Sequence, residues 1–571
     1  MKTRTIFRNA ALWLLSVPCI SGCIEETFPQ SGIATAQQVA ESSAAQMGQI
    51  NAIVNFVNAY NAYGQYYTFD FGYSAFGITR DVMCEDFYVY DAYYDYFDYF
   101  GRCQNLSANA MANAIYYYYY KFLNNTNNLI RVVDEATASE TSKQYIGIAK
   151  AFRAMIYMDM ARFYEYKKTG IAKLDDEARE NNVYGLTVPI VSEKTTEVDA
   201  RNNPRVQFYT MYKFISDDLE SAGTLLKDYA RSRKNLPDKA VISGLKARLW
   251  LDIATRVEKN PEALAAIKEH VSQEVASAAD CYAKAARHAR EAIEQSGAIP
   301  LTEEEWFGGK DYSTAFNSIG SASWMWGSML TKDNMYTSYI NFIGMISPEQ
   351  KFGVGNYYYW AIRTISSRLF EQISDDDWRK ATWIAPEDEG KLPGKKYHTI
   401  LSPTNFTYLP AYTSLKFKPK SGNMDDYKIG AVVDYPLMRV EEMYFIEAEA
   451  IAGSRGVAEG VAALQSFMQT YRYASYTCKA ATMDEFRQAL MLQKRIEFWG
   501  EGIIYWDYKR LDLSVTRGYP GTNCPVGFRL NSIEGYCAPW FTLYFSKYES
   551  NQNKAIVLNP DPSAAIPEWE E

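Results

Sequence analysis

The chain has 571 residues, of which 47% are hydrophobic and 22% charged, a composition typical of a large globular protein. Its formal net charge of −9 excludes the basic footprint that nucleic-acid binding requires. The sequence also contains 46 tyrosines and 12 tryptophans. These rings must either be buried with hydrogen-bond partners or form a large amphipathic contact surface.

The first residues have the pattern of a secretory signal peptide. Lys2, Arg4 and Arg8 precede an apolar stretch over residues 10–17 that is too short to span a bilayer. Small residues then precede Cys23, in a pattern that resembles the lipobox of bacterial lipoproteins, in which the cysteine is acylated. The alternative is an ordinary cleavable signal with an incidental cysteine.

We expect residues 1–22 to be a lipoprotein signal peptide and a lipid at Cys23 to anchor the protein. The remaining chain then has 549 residues, and its net charge becomes −12 because three positive charges are lost. The acidic residues 24–26 resemble the tag that sends some lipoproteins to the outer face of the outer membrane. The predicted location is therefore the outer membrane, facing outwards from the cell.

Four apolar stripes with helical spacing follow along the chain, over residues 145–163, 208–226, 242–253 and 282–293. Alanines at stripe positions allow neighbouring helices to approach closely: Ala149, Ala222, Ala286 and Ala289. Such helices, joined by short connections, are similar to tetratricopeptide-type hairpins, although the full consensus of that repeat is absent. The pattern predicts a mainly helical scaffold of degenerate repeats.

Long segments without helical pattern lie between these helices, over residues 169–204, 300–360 and 384–434. Loops of this length inside a compact protein usually carry function. Helical pattern returns over residues 435–453 and 484–511. Since nothing marks a flexible linker, we expect residues 23–571 to form a single unit. Its helical-repeat part would end at about residue 300, and a loop-rich and helical part would cover 301–571.

Six cysteines follow Cys23, and they allow 15 pairings among which the sequence does not choose. In an oxidising environment, proximity along the chain favours Cys84–Cys103 and Cys524–Cys537 as bridges. The sequence has no C-x-x-C motif, so we expect neither metal binding nor redox chemistry from the six cysteines.

Three segments resemble the SusD/RagB family: "YPLMRVEEMYFIEAEAIAGSRG" (435–456), "QKRIEFWGEGIIYWDYKRL" (493–511) and "FDFGYSAFGITRDVMCEDF" (69–87). The first matches the family's Pro-x-x-Arg-x-x-Glu pattern followed by Ala-Glu-Ala and a glycine. The second matches Arg-x-x-Glu-x-x-x-Glu-Gly, an aromatic, Asp and Arg. This chain departs from the family at Val440 and Glu441 and at Ile503 and Ile504, where His-Arg is frequent in the family.

The charges in these signatures lie on largely apolar helices, where burial would be costly without a partner. We expect Arg439 to pair with Glu442 or Glu447, and Arg495 with Glu497 or Glu501, in a structural network. The aromatic side chains of the second signature, Trp499, Trp506 and Tyr508, are expected in the core.

The resemblance implies a tetratricopeptide-like helical fold with long irregular loops covering one side. It also implies a non-catalytic cell-surface protein that captures oligosaccharides and delivers them to a SusC-like TonB-dependent transporter. Some family members serve peptide uptake, so peptide or another nutrient is the alternative cargo. A peptide site would rely on backbone partners along an extended groove more than on stacked rings.

Sugar binding requires flat aromatic rings together with polar groups for the hydroxyls. The resemblance places the family's N-terminal ligand aromatic near Tyr88 or Tyr90 and its polar companion near Tyr93 or Tyr94. The remaining stacking rings are expected in the cluster that follows residue 335. Our candidate ligand-binding residues are therefore Tyr88, Tyr90, Tyr93, Tyr339, Tyr357, Tyr359, Trp360, Asn341 and Asn356, with Arg363 as a further hydrogen-bond donor. Buried packing is the competing interpretation for each ring.

An enzymatic alternative would use an acidic pair for glycoside hydrolysis, such as Asp86 with Asp91 or Asp95. Acidic runs of this kind are more often solvated surface. Only three histidines occur, none in a triad motif, and neither a cofactor nor a metal is expected. The run of tyrosines at 116–120 enters a predicted helix, so its members are expected to be mostly packed rather than available to a ligand.

Overall fold

The fold is mainly helical, as predicted, and a computed structural model describes it over residues 36–90, 97–309, 312, 316–335, 340–353 and 361–564. The helices of the first half are α1 (Ala36–Glu41), α2 (Ser43–Phe56), α3 (Tyr73–Met83), α4 (Asp98–Gly101), α5 (Ala110–Val132), α6 (Glu140–Tyr164), α7 (Ala172–Glu180), α8 (Glu197–Ala200), α9 (Phe208–Leu225), α10 (Lys239–Lys259), α11 (Ala263–His270) and α12 (Ala278–Ser296). Those of the second half are α13 (Glu303–Trp306), α14 (Phe342–Ile346), α15 (Ser367–Gln372), α16 (Pro403–Phe406), α17 (Tyr427–Gly430), α18 (Val440–Arg455), α19 (Val457–Tyr471), α20 (Met483–Glu497), α21 (Ile504–Leu511) and α22 (Lys547–Gln552).

The four predicted apolar stripes correspond to α6, α9, α10 and α12. Three of these helices begin at a side-chain cap: the side chains of Ser139, Asp238 and Ser277 each accept a hydrogen bond from a backbone N–H of the first turn. The tyrosine run at 116–120 lies in α5, as predicted. Most of its rings are buried, whereas Tyr117 is exposed.

The long helices pack side by side in one continuous stack. The order of contacts is α5, α6, α9, α10, α12, α18 and α19, so α12 contacts α10 on one side and α18 on the other. The alanines at the stripe positions are buried, which permits the close packing of these helices. The stack therefore crosses residue 300 and joins the helices of the two halves.

Two short antiparallel sheets complete the architecture. Strand β1 (Phe87–Val89) pairs with β3 (Arg363–Ile365), and β2 (Trp324–Ser328) pairs with β4 (Tyr435–Arg439). The prediction of helix from residue 435 was therefore wrong for its first five residues. Pairing with a strand about a hundred residues away decides their conformation, and local apolar pattern does not report such a partner.

The predicted helix over residues 484–511 is divided into α20 and α21. Gly500 and Gly502 in the interruption have φ angles of +80° and +69°, which side chains rarely adopt. The N–H of Gly502 donates to Asp81 at 2.8 Å, and Arg80 Nε donates to the carbonyl of Gly502 at 2.6 Å. The interruption thus fastens the second signature to α3.

The signature charges do form a buried ion network, but with partners other than those predicted. Arg439 pairs with Glu501 at 2.8 Å and with Glu497 at 3.1 Å. Four cations balance four carboxylates in this network: Arg379, Arg439, Arg472 and Lys416 with Asp377, Glu441, Glu497 and Glu501. Burial alone would raise the pKa of Glu497, but Arg472, Arg439 and Arg379 outweigh it and hold that pKa well below its ordinary value.

The expected partners of Arg439 bind arginines on other helices instead. Arg248 Nε donates to Glu442 at 2.7 Å, and Arg290 Nε donates to Glu447 at 2.8 Å. These pairs join α10 and α12 to α18. The sequence spacing suggested pairs within one helix, whereas tertiary packing places arginines of neighbouring helices closer to both carboxylates.

All six cysteines after Cys23 are free thiols with buried side chains. The bridges that proximity favoured, Cys84–Cys103 and Cys524–Cys537, are therefore not formed in this structure. Burial raises the pKa of the Cys103, Cys524 and Cys537 thiols above the ordinary value, which leaves little reactive thiolate.

Candidate functional site

Two of the predicted ligand-binding segments, 91–96 and 354–360, start at the same end of the two-stranded β1–β3 sheet. We call this end the β1–β3 edge. In the β1–β3 pair, Val89 lies opposite Arg363, and the N–H of Tyr90 donates to the carbonyl of Ile362 at 3.3 Å. Because the strands are antiparallel, β1 ends where β3 begins. Tyr90 therefore lies opposite Ile362, the neighbour of Ala361, and the residues that flank the segments 91–96 and 354–360 are close together.

The third segment is tied to the same sheet through α14. The side-chain oxygen of Asn341 accepts a hydrogen bond from the N–H of Gly344 at 2.7 Å and so caps α14. Arg363 Nε, on β3, donates to the carbonyl of Met345 at 2.9 Å. The chain that follows residue 340 is thus fixed against β3.

The second signature positions the beginning of β1. Arg495 donates to both carboxylate oxygens of Asp86, each at 2.6 Å, and Trp499 Nε1 donates to the carbonyl of Asp86 at 2.8 Å. The ring of Trp499 also packs on Phe87, with centroids 4.7 Å apart. The paired arginine and the indole are 409 and 413 residues from Asp86 along the chain. Sequence reasoning assigned neither of them to the site, and local spacing held no signal for this role.

The structure separates the two alternatives for the N-terminal aromatic. Tyr88 is 1% exposed, whereas Tyr90 is 53% exposed. Residues 88 and 90 point to the same side of the strand, but Tyr88 lies within β1 and Tyr90 lies just beyond its end. The ring of Tyr90 is therefore the one that a ligand can reach. The packing of Tyr88 favours a structural role for that residue.

The polar candidates also have structural contacts. Asn341 caps α14 and is buried, and Arg363 is buried with its Nε bound to the Met345 carbonyl. The other candidates lie outside the described residues: Tyr93, Tyr339, Tyr357, Tyr359, Trp360, Asn356 and the lipidation residue Cys23.

The acidic and histidine side chains that were considered for catalysis are engaged in other contacts. Asp86, the described member of the acidic pairs considered for hydrolysis, is bound by Arg495. His288 contacts Glu291 at 2.7 Å on α12, and His270 stacks on Tyr209. Within the described ranges, no group of three or more His, Cys, Asp or Glu side chains is arranged to hold a metal ion.

We expect the pairing of Asp86 with Arg495 to be measurable as an energetic coupling. A double-mutant cycle of Asp86→Asn and Arg495→Met should give a coupling of about 1.5–3 kcal/mol in urea unfolding, since both charged hydrogen bonds are largely shielded from water. The exposed pair Lys213–Asp217 is the matched control and should show no measurable coupling. A coupling at 86–495 no larger than this control would contradict the anchoring of β1.

No helix in the described parts of the chain is long and apolar enough to cross a membrane.

Comparison with known proteins relates both the sequence and the fold to one family. Residues 348–565 match the model of the SusD family. A SusD-like carbohydrate binding protein from Bacteroides vulgatus is 19% identical, with a TM-score of 0.66 over 90% of this chain and 97% of its own. A SusD superfamily protein from Bacteroides thetaiotaomicron is 16% identical, with a TM-score of 0.63 over 91% of this chain and 100% of its own.

A SusD superfamily protein from Bacteroides fragilis gives a TM-score of 0.60 at 16% identity, over 91% of this chain and 99% of its own. At such identities the likeness concerns the fold. No curated protein matches the sequence. The signatures at 435–456 and 493–511 lie within the matched region 348–565, and the helical fold is shared over nine tenths of the chain. The C-terminal part of the chain, residues 348–565, is therefore similar in sequence to the SusD family, and the chain as a whole has the fold of SusD-superfamily proteins.

Proposed function

We propose that this protein captures oligosaccharides at the cell surface and delivers them, chemically unchanged, to a SusC-like TonB-dependent transporter. The observation that carries the proposal is the antiparallel β1–β3 pair, which brings the flanks of two aromatic-rich segments to one edge, where Tyr90 is exposed. The fold relative described as a carbohydrate binding protein supports the same class of ligand.

A sugar ring presents an apolar face of C–H groups and a polar edge of hydroxyls. A tyrosine ring covers the apolar face, and its phenol supplies a polar group at the rim. Because Arg495 and Trp499 fix the strand that ends just before Tyr90, little conformational entropy is lost at this position when a ligand binds. The site thus suits binding and release without a chemical step.

The proposed location rests on the lipobox at Cys23. Several acyl chains on this residue would hold the protein in the outer membrane, because each buried methylene contributes about 0.8 kcal/mol. Anchoring places the glycan site close to the transporter. A Cys23→Ala variant is expected to leave the membrane fraction and to reduce oligosaccharide uptake by cells.

Isothermal titration of the mature protein against panels of oligosaccharides and of peptides tests the proposed cargo. We expect binding to at least one oligosaccharide, and Tyr90→Ala should weaken it about tenfold, which corresponds to about 1.4 kcal/mol. Tyr536→Ala, at an exposed tyrosine whose ring packs beside Gly170, is the control and should bind like wild type.

Three results would contradict the proposal. Binding confined to the peptide panel would favour peptide cargo. Release of shortened sugar products during incubation would show an enzyme. Equal oligosaccharide affinity for Tyr90→Ala and wild type would show that the β1–β3 edge is not part of the binding site.

A further inference from the structure

A second set of tyrosines lies on a loop that follows α2 and is held rigidly. Tyr66 is exposed, and Tyr63 and Tyr67 are half-buried. The carboxylate of Asp70 accepts hydrogen bonds from the N–H groups of Ala62 and Tyr63, at 3.1 and 2.8 Å. The side chain of Asn61 accepts a hydrogen bond from the N–H of Tyr66 at 2.8 Å. From α5, Lys121 Nζ donates to the Ala62 carbonyl at 3.0 Å. The loop is thus fixed by side chains along its length.

Tyr66 shows that this loop presents a ring to solvent at an energetic cost. Its φ angle is +55°, a region unfavourable for a bulky aromatic residue, and its side chain is 61% exposed. Local strain of this kind tends to occur where function requires it. The ring of Tyr66 contacts Tyr60, with centroids 6.3 Å apart, and more than half of its side chain remains exposed.

Two exposed rings from distant parts of the chain lie next to the loop tyrosines. Tyr63 lies 6.2 Å from Tyr67, nearly parallel, and 5.9 Å from Tyr117 on α5, edge to face. Tyr117 is 38% exposed, and Tyr548 on α22 is 63% exposed. Burial, followed by the neighbouring phenol of Tyr548, raises the pKa of Tyr63 to about 12. We refer to Tyr63, Tyr66, Tyr67, Tyr117 and Tyr548 as the tyrosine surface.

An open groove adjoins the tyrosine surface at Tyr117 and Tyr548. Its volume is about 310 Å³, at the small end of the range for ligand pockets. Its walls include Tyr116, Pro189 and Val191, and Glu549 and Gln552 add a carboxylate and an amide. Rings with hydrogen-bonding groups beside them are the combination that sugars require.

We propose that the tyrosine surface and its groove form a second carbohydrate-binding site, separate from the β1–β3 edge, for a neutral glycan chain. The exposed rings of Tyr66, Tyr117 and Tyr548 suit the apolar faces of successive sugar units, and the groove accommodates one unit beside Glu549 and Gln552. The carboxylate of Glu549 disfavours acidic sugars. The one cation that packs on these rings in the described structure, Lys121 over Tyr117 at 4.5 Å, already donates to a backbone carbonyl.

This inference rests on the proposed function, because it takes the cargo to be carbohydrate. Two sites on one protein can bind one long chain at once, and the second contact then profits from a high effective concentration. The tyrosine surface is therefore expected to matter for polysaccharides more than for short oligosaccharides, which engage one site only.

Native gel electrophoresis in gels that contain polysaccharide tests this second site. The probes are amylopectin, arabinoxylan, xyloglucan, galactomannan and levan, with polygalacturonate as an acidic probe. With the neutral polysaccharide that retards wild type, the double variant Tyr117→Ala/Tyr548→Ala should show at least fivefold weaker apparent affinity. Its titration with a short oligosaccharide of the same glycan should stay within twofold of wild type. Tyr548→Trp should increase retardation, and Tyr408→Ala is the control for loss of an exposed tyrosine elsewhere.

The outcomes separate the two proposals. If wild type is retarded and the double variant, with an unchanged thermal unfolding midpoint, is retarded equally, the second site is wrong and the proposed function stands. If the double variant reduces uptake by cells while polysaccharide retardation is unchanged, the surface binds a protein, and the second site is again wrong. Preferential retardation by polygalacturonate would contradict the neutral ligand. If no polysaccharide retards wild type and no oligosaccharide binds, the proposed function fails and the second site fails with it.

Discussion

Replacing Glu497 with glutamine is expected to destabilise the protein by about 3–5 kcal/mol, the usual cost of removing one partner from a buried ion pair. Glu497 accepts from Arg379, Arg439 and Arg472, at distances of 2.8 to 3.1 Å, and all of these side chains are buried. Glutamine keeps the shape but leaves the network with one positive charge in excess. Urea unfolding of the purified variant measures the loss.

An exposed ion pair provides the control for this substitution. Glu197 pairs with Arg201 at 2.6 Å on the surface, and Glu197→Gln should leave the unfolding midpoint unchanged.

The pH dependence gives a second check. Because the fold depresses the pKa of Glu497, its contribution is complete above the ordinary glutamate pKa and is lost as the pH falls. The difference between wild type and Glu497→Gln should therefore be constant from about pH 7 to about pH 5 and shrink as the pH falls from about 5 to about 3. A difference independent of pH would contradict the role of this charge.

Gly502→Ala is the second substitution expected to have a large effect. A methyl group at this position would lie 2.5 Å from the Cα and 2.7 Å from the carbonyl oxygen of Gly77, so the backbone of α3 would have to move. Overpacking of this kind costs about 1–3 kcal/mol. The φ angle of +69° adds about 1–2 kcal/mol for a residue with a side chain. We expect a total loss of about 2–5 kcal/mol in urea unfolding.

Gly521 separates the two contributions. It has a φ angle of +78°, similar to that of Gly502, but a methyl group there would meet no atom within 4 Å. Gly521→Ala should therefore show the backbone cost alone, about 1–2 kcal/mol. If both alanine variants lose the same stability, close contact with α3 is not the reason for glycine at position 502.

The sequence predicted the long helices because their signal is local. The stripe over residues 145–163 predicts a buried face of α6, and in the structure that face is buried together with most of the rest of the helix. The strand at Tyr435–Arg439 was missed because its conformation depends on β2. Similarly, the break between α20 and α21 follows from contact with α3, although Gly500 and Gly502 offered a signal in the sequence.

The candidate site was predictable only in outline. The family resemblance directed attention to the aromatic segments, and the structure places their flanks together. The resemblance did not distinguish Tyr88 from Tyr90, because a shift of one or two residues decides whether a ring lies within the strand or beyond its end. The partner of Arg495 was predicted within its own helix and proved to be Asp86, which no spacing rule connects to it. The tyrosine surface brings together three chain segments, and composition alone only indicated that many tyrosines required a role.

The bond between Asp86 and Arg495, 409 residues apart, also bears on how the protein matures. A chain that emerges in order from its N-terminus cannot close this contact until most of its length has been synthesised. Contacts of such large sequence separation form late and slowly, because the intervening chain must be ordered first. The β1 strand therefore acquires its final support only in the complete chain. A fragment that ends before residue 495 should not hold β1 in its final position.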